Sequence, residues 1–168
     1  GQLASVSFGQ GELLATPIQI AAYFNTFANN GVYVSPSLVE GLLNPRTGKI
    51  EKSFYHPVQV KAMSDSSAEM LKEMLTSVVL NGLAKKAKPT FGLAAGKTGT
   101  AQTGRYFTEE NGNEGELYES WFVGFYPVDK PQYTICILED ETHTIKDGCS
   151  EIFAEICNSL YYLDQKRI

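Results

Sequence analysis

Apolar residues recur at helical spacing in three segments of the chain and fall into extended patterns elsewhere. Thr16-Pro17-Ile18-Gln19 predicts the start of a first helix, because Thr16 and Gln19 can form a capping box around a proline at the first helical position. The aromatic residues that follow predict a buried face. Asn30-Gly31 predicts the end of this helix, with Gly31 in the left-handed position after its cap.

A second helix is predicted to begin near Ser64, with Ser66 and Glu69 as its capping box. Its end is left open between Asn81-Gly82 and Lys88. The predicted buried stripe contains Met70, Leu71, Met74, Leu75, Val78, Val79 and Leu83. The third, terminal helix is predicted to start at 147–150, with inward residues Ile152, Phe153, Ile156, Leu160 and Leu163.

The extended segments predict strands at 32–34, a hairpin of 38–43 with 50–54, and three antiparallel strands in succession between 94 and 139. Within this meander, 104–119 is rich in Gly, Asn and Glu, and it is predicted as an acidic loop. The nearly all-apolar segment 120–126 predicts a strand covered on both faces. A meander with a helix packed on it predicts an α+β fold, an antiparallel β-sheet flanked by helices.

Composition narrows the functional classes. A length of 168 residues suits one domain with one core, and a formal net charge of −5 argues against a nucleic-acid groove. The three cysteines, at positions 136, 149 and 157, are interpreted as small buried apolar residues. No cofactor and no metal site is predicted, and the acidic run Glu139-Asp140-Glu141 with Asp147 is interpreted as solvated charge rather than as a cation site.

One stretch carries candidate chemistry. Gly96-Lys97-Thr98-Gly99-Thr100-Ala101-Gln102 combines a cation, two hydroxyl groups and a position without a side chain. In a strand, alternation places Thr98 and Thr100 on one face and Lys97 and Gly99 on the other. Gly99 allows another backbone to approach closely. Together these residues are the parts of a clamp for a carboxylate-bearing, peptide-like ligand.

Lys97-Thr98-Gly99-Thr100-Ala101-Gln102 resembles the third motif of class B penicillin-binding proteins, the monofunctional cell-wall transpeptidases. A second segment is similar to the Gly-Gln-Gly…Thr-Pro-x-Gln…Ala-Asn-x-Gly pattern that precedes this motif in the family. It consists of Phe8-Gly9-Gln10-Gly11-Glu12, Thr16-Pro17-Ile18-Gln19 and Ala28-Asn29-Asn30-Gly31. The two matches in this order imply part of a penicillin-binding, β-lactamase-like transpeptidase fold.

The resemblance also implies a reaction and a role for each motif residue. Such enzymes cross-link peptidoglycan stem peptides through an acyl-serine intermediate and are inhibited by β-lactams. Lys97 and Thr100 would be catalytic, through a positive potential and an oxyanion-hole N–H. Thr98, Gly99, Thr100 and Gln102 would bind substrate.

Two motifs of the family are not found in the sequence. No serine begins a Ser-x-x-Lys or a Ser-x-Asn, so the chain offers no nucleophile. We therefore expect residues 1–168 to be the C-terminal fragment of a single transpeptidase domain, inactive alone and open to self-association through exposed core surface. Its parent would be anchored to the cytoplasmic membrane by an N-terminal segment and act outside the cytoplasm.

The expected partners of the parent are the D-Ala-D-Ala stem peptide, β-lactams and a wall-synthesis complex. A D,D-carboxypeptidase or a β-lactamase would share Lys-Thr-Gly, but the second segment argues against both. The alternative from another class is a non-catalytic β-lactam sensor or wall-synthesis scaffold with the same fold.

Overall fold

The computed structural model describes Ala4, Val6 and residues 13–108, 112–143 and 148–166. The predicted segment Phe8-Gly9-Gln10-Gly11-Glu12 and Asp147 lie outside these residues. In chain order the elements are α1 (Pro17–Ala28), β1 (Val32–Val34), β2 (Gly41–Leu43), β3 (Ile50–Ser53), β4 (Gln59–Lys61), α2 (Asp65–Leu80), a short 3₁₀ helix (Lys85–Ala87), β5 (Ala95–Thr108), β6 (Glu114–Tyr126), β7 (Tyr133–Thr142) and α3 (Gly148–Gln165).

The main sheet of the described chain is the antiparallel meander β5-β6-β7. Helices cover both of its faces. On one face, Phe122 of β6 packs with Phe153 of α3, their ring centroids 4.6 Å apart. On the other, Val123 and Phe125 pack with Phe24 of α1 and its neighbours. The two clusters confirm the predicted α+β class and the strand covered on both faces.

Helix α1 begins as predicted. The Thr16 side chain accepts from the Gln19 N–H and the Gln19 side chain accepts from the Thr16 N–H, which completes the capping box. The end of the helix differs by one residue. Asn30 takes the left-handed C′ position with φ of 50°, and the N–H of Gly31 reaches back to the Thr26 carbonyl at 2.8 Å. Asparagine tolerates this conformation better than most residues, so the glycine shifts to the next position.

The predicted cap of α2 is wrong, and its predicted buried stripe is confirmed only in part. Ser64 caps the helix by accepting from the Ser67 N–H at 3.1 Å, and Ser66 lies inside the first turn. Met70 and Met74 are 57% and 56% exposed. The inward stripe includes the predicted Leu71, Leu75, Val78 and Val79 and also Ala68, while Leu83 lies exposed beyond the helix. The sequence leaves the rotation of the helix undetermined, because four consecutive residues at 64–67 can serve as its cap and apolar residues follow on most sides.

The terminal helix α3 turns small residues toward the sheet. Cys149, Ala154 and Cys157 are buried beside Phe153, whereas Ile152 and Leu163 are exposed, contrary to prediction. Small side chains let the helix approach β6 closely, and the Cys149 thiol donates to the Ser120 carbonyl at 3.3 Å. All three cysteines are free. Cys149 and Cys157 are buried as predicted, whereas Cys136 is only partly buried.

Two small antiparallel pairs lie between the first two helices. β2 and β3 form the predicted hairpin, and the Asn44 side chain accepts from the N–H groups of Arg46 and Thr47 in its turn. β1 pairs with β4, which no pattern predicted because Gln59-Val60-Lys61 is too short to show a period.

The predicted acidic loop is largely a β-hairpin arm. β5 continues to Thr108 and β6 begins at Glu114, so the two strands extend past the third. The segment contains β-forming residues such as Tyr106 and Phe107. Its high content of glycine and glutamate conceals this strand signal and predicts a loop. Residues 109–111 lie outside the described chain.

Candidate functional site

The motif residues lie on β5, an edge strand of the described sheet. Lys97 is opposite Val123 and Thr98 is opposite Phe122. Because opposite residues of paired strands share a face, Lys97 belongs to the α1 face and Thr98 to the α3 face. This confirms the predicted alternation of the motif side chains.

The Lys97 ammonium group is exposed, and its Nζ donates to the Thr98 carbonyl at 3.0 Å. Within the described part of the chain, Lys97 forms no ion pair. A lysine in this state presents its charge to solvent and to any anion that approaches the strand edge. Thr98 and Gly99 are half-buried and Thr100 is exposed.

Glycines hold the motif strand against β6. A Cβ on Gly96 would lie 2.5 Å from the Phe122 ring, and a Cβ on Gly124 would lie 2.4 Å from the Ala95 carbonyl oxygen. At Gly99 the same atom would lie 3.3 Å from Cβ of Trp121. Gly99 therefore also allows β5 to pair closely with β6, a role that the sequence motif did not predict.

A groove of about 490 Å³ runs beside the motif strand, and residues from both faces of β5 contribute to its lining. Gly99, Thr100 and Gln102 line it, whereas Lys97 and Thr98 do not. Its remaining wall is mostly apolar and includes Val6, Leu13, Leu14, Ala15, Ile20 and Trp121. Leu13 and Leu14 are 77% and 93% exposed, so this wall is an uncovered apolar surface in the described structure.

Gln102 contacts a residue that the sequence did not indicate. Its Nε2 donates to Oε2 of Glu116 at 2.9 Å across the arm. A hydrogen bond to the same carboxylate, then partial burial, raises the pKa of Tyr118. The Gln102 amide is therefore oriented with its nitrogen toward Glu116, because a carboxylate only accepts.

Two carboxylates of the acidic run Glu139-Asp140-Glu141 lie beside an arginine. Arg105 pairs with Glu141 and lies 3.9 Å from Asp140, so these carboxylates serve an ion pair. Across the described residues, no group of three or more His, Cys, Asp or Glu side chains is placed to hold a metal ion. The described helices include none with the length and apolarity to cross a bilayer.

The α+β fold has helices on both faces of an antiparallel sheet, and the Lys-Thr-Gly motif lies on a strand at the edge of that sheet. Known proteins share this combination of fold and motif. The family model of the penicillin-binding protein transpeptidase domain matches residues 2–161. The chain belongs to this family, which confirms the class B resemblance of its two motif segments.

Two curated relatives show how much of a longer protein the chain represents. It is 29% identical over 143 residues to peptidoglycan D,D-transpeptidase MrdA of Acinetobacter baumannii, covering 82% of this chain and 21% of that protein. It is 32% identical over 142 residues to penicillin-binding protein H of Bacillus subtilis, covering 82% of this chain and 20% of that protein. The chain thus spans about a fifth of the length of these relatives.

A solved structure supports the fold. The crystal structure of penicillin-binding protein 3 from Mycobacterium tuberculosis, complexed with aztreonam, matches with a TM-score of 0.77 and 27% identity. The match covers 96% of this chain and 38% of that one. The expected fold, part of a penicillin-binding, β-lactamase-like domain, is confirmed.

Proposed function

We propose that this chain supplies the substrate clamp of a peptidoglycan D,D-transpeptidase. The observation that carries the proposal is the position of Lys97-Thr98-Gly99-Thr100 on an edge strand, with the lysine charge exposed, in a member of the penicillin-binding protein transpeptidase family. A relative that carries the name D,D-transpeptidase supports the reaction type.

In this proposal the clamp binds a stem peptide that ends in D-Ala-D-Ala. Lys97 draws in the terminal carboxylate, and the hydroxyl groups of Thr98 and Thr100 bind it. The backbone N–H of Thr100 is one oxyanion donor, and the loss of such a donor typically costs about 3–4 kcal/mol of transition-state stabilisation. Gln102 lines the same groove and contacts the peptide beyond the reacting carbonyl.

The nucleophile in this proposal is a serine of the parent protein outside residues 1–168. Its oxygen forms an ester with the penultimate D-Ala carbonyl, the terminal D-Ala leaves, and an amine of a neighbouring stem displaces the serine. Residues 1–168 are then the C-terminal part of one transpeptidase domain. The uncovered apolar wall of the groove, with Leu13 and Leu14, fits contact with the remainder of that domain.

We further propose that β-lactams acylate the same serine and that the parent acts outside the cytoplasm, held at the membrane by an N-terminal segment. Solved relatives complexed with aztreonam and with ampicillin support β-lactam binding. The alternative function, a non-catalytic sensor or scaffold, would be supported by other outcomes of the test below.

The test is mass analysis of the complete protein after incubation with a penicillin, followed by peptide mapping. We expect one adduct, on the serine of a Ser-x-x-Lys sequence encoded upstream of Gly1. An adduct on a serine within residues 1–168 would contradict the proposed domain arrangement. No adduct would favour the scaffold, and an adduct on a protein that does not cross-link stem peptides in the absence of penicillin would favour the sensor.

A further inference from the structure

The β5–β6 arm departs from regular pairing beside the predicted substrate residues. The β5–β6 register shifts between Gln102 and Tyr106, with Gly104 at φ of 68°. The β6–β7 register shifts between Tyr118 and Ser120, and Glu141 on β7 has φ of 52°. Bulges re-aim side chains next to active sites, and a glutamate in the left-handed region costs backbone energy that other contacts must offset.

One side chain joins the two irregular segments. The Arg105 guanidinium, at the end of the β5 bulge, reaches across β6 and forms an ion pair with Glu141. A second nitrogen of the same group lies 3.9 Å from Asp140. We call Arg105, Asp140 and Glu141 the arginine bridge. A planar guanidinium suits two neighbouring carboxylates, whereas a lysine ammonium is a single point charge.

The bridge is connected to the motif strand by short contacts. The Thr103 hydroxyl donates to the Leu117 carbonyl at 2.7 Å and accepts from the Arg105 N–H at 3.1 Å. Arg105 lines the same groove as Thr100 and Gln102. The position of Arg105 therefore fixes the direction in which β5 leaves the motif, two residues after Thr103 and three after Gln102.

We propose that Arg105 is a positioning residue for the clamp: the arginine bridge holds the β5 bulge so that Thr100 and Gln102 keep their places along the groove. The inference rests on the proposed transpeptidase function. Arg105 acts through the strand and has no contact with the reacting atoms. Substrate alignment is sensitive to displacements of about 1 Å, so loss of the bridge is expected to slow acylation on the order of 10-fold.

If the arginine bridge only stabilised the fold, its removal would lower the melting temperature and the acylation rate together. The Arg105 and Glu141 side chains are 56% and 45% exposed, and ion pairs at such positions contribute little to stability. Removal of the bridge should therefore leave the melting temperature within about 4 °C of the parent value. A loss of acylation at nearly unchanged stability identifies positioning.

The experiment uses the complete protein and a penicillin, with acylation measured as a function of penicillin concentration. Arg105→Ala is compared with Arg46→Ala, which removes an exposed arginine from the β2–β3 turn. We expect Arg105→Ala to lower the acylation rate at saturation about 10-fold, with the half-saturating concentration changed far less, because the strand aligns the reacting carbonyl. The acylation rate of Arg105→Lys should lie between the rates of Arg105→Ala and Arg46→Ala.

A charge exchange separates positioning from loss of packing. Arg105→Glu should acylate as slowly as Arg105→Ala, and the double variant Arg105→Glu with Glu141→Arg should recover most of the rate. No recovery, or single variants equal to Arg46→Ala, would overturn the proposal. Lys97→Ala serves as the reference variant. If Lys97→Ala is acylated at the normal rate, the proposed function is wrong. If Lys97→Ala is acylated slowly and the Arg105 variants are acylated normally, only the role of Arg105 is wrong.

Discussion

The β5–β6 ladder has two halves that are held by different forces. From Ala95 to Thr100, β5 lies against an apolar stretch of β6 whose faces are covered by α3 and α1, and Gly96 and Gly124 leave no room for a Cβ. Beyond Gln102 the ladder is only half-buried or exposed, and its cross-strand contacts include charged and polar pairs around Glu116 and Arg105. The packed half fixes where the motif lies, and the polar half fixes where the strand goes next.

The largest expected effect breaks the packed half. Phe122 is fully buried against Phe153, whereas Tyr106 on the arm is exposed. We expect Phe122→Ala to lower the free energy of unfolding of the complete protein by about 3–5 kcal/mol, because it removes an aromatic ring and leaves a cavity. Tyr106→Ala should change it by about 0.5 kcal/mol or less. Equal losses in denaturant titration would show that the two halves are not distinct.

A pair of glycine substitutions probes the same contrast. Gly124→Ala places a Cβ 2.4 Å from the Ala95 carbonyl oxygen and 3.0 Å from the Phe153 ring, and β5 must move away. We expect a loss of about 1–3 kcal/mol in the free energy of unfolding. Gly104→Ala meets no atom within 4 Å and is strained only by its φ of 68°, so about 1 kcal/mol is expected. A larger loss at Gly104 would reverse the comparison.

Thiol titration sharpens the picture of the packed half. Burial raises the pKa of Cys157 from 9.0 to about 12. The folded protein thus holds this proton more tightly than the unfolded chain, so stability is unaffected below pH 9 and falls as the pH rises from about 9 towards 12. We expect no labelling of Cys157 by iodoacetamide at pH 8 without unfolding. Labelling of the folded protein, located by mass mapping, would contradict its packing.

The smallest effect concerns the polar half. The pKa of Tyr118 is raised first by its hydrogen bond to Glu116, with smaller contributions from burial and charge. We expect Glu116→Gln to lower the Tyr118 pKa toward 10.0, as read from tyrosinate absorbance with Tyr118→Phe as the control. An unchanged titration would mean that the arm is not organised around Glu116.

The same division explains what the sequence could predict. Continuous apolar segments and the Thr16 capping box depend on near neighbours and on burial, so residue patterns predict the meander, the first helix and the alternation of the motif side chains along β5. The contacts of Arg105 with Glu141 join residues 36 apart, and no local pattern encodes them. The composition of the arm, rich in Gly, Asn and Glu, predicts a loop, whereas pairing between β5 and β6 makes it a hairpin.

Helix rotation was the other failure. Ser66 and the methionines of α2 were assigned from local spacing, but packing against β5 and its neighbours selects Ser64 as the cap and turns Met70 and Met74 outward. Likewise α3 presents Cys149 and Cys157 because small side chains permit close approach to Phe122. Periodicity identifies a helix, and tertiary packing decides which face is buried.

The most direct measurement of the central claim is acylation of the complete protein by a fluorescent penicillin after Lys97→Ala, beside Lys130→Ala in the exposed β6–β7 turn. If Lys97 supplies the positive charge of the clamp, Lys97→Ala should acylate at least about 10²-fold more slowly at an unchanged melting temperature, and Lys130→Ala should match the parent. Equal acylation by Lys97→Ala and Lys130→Ala would remove Lys97 from the mechanism and with it the clamp.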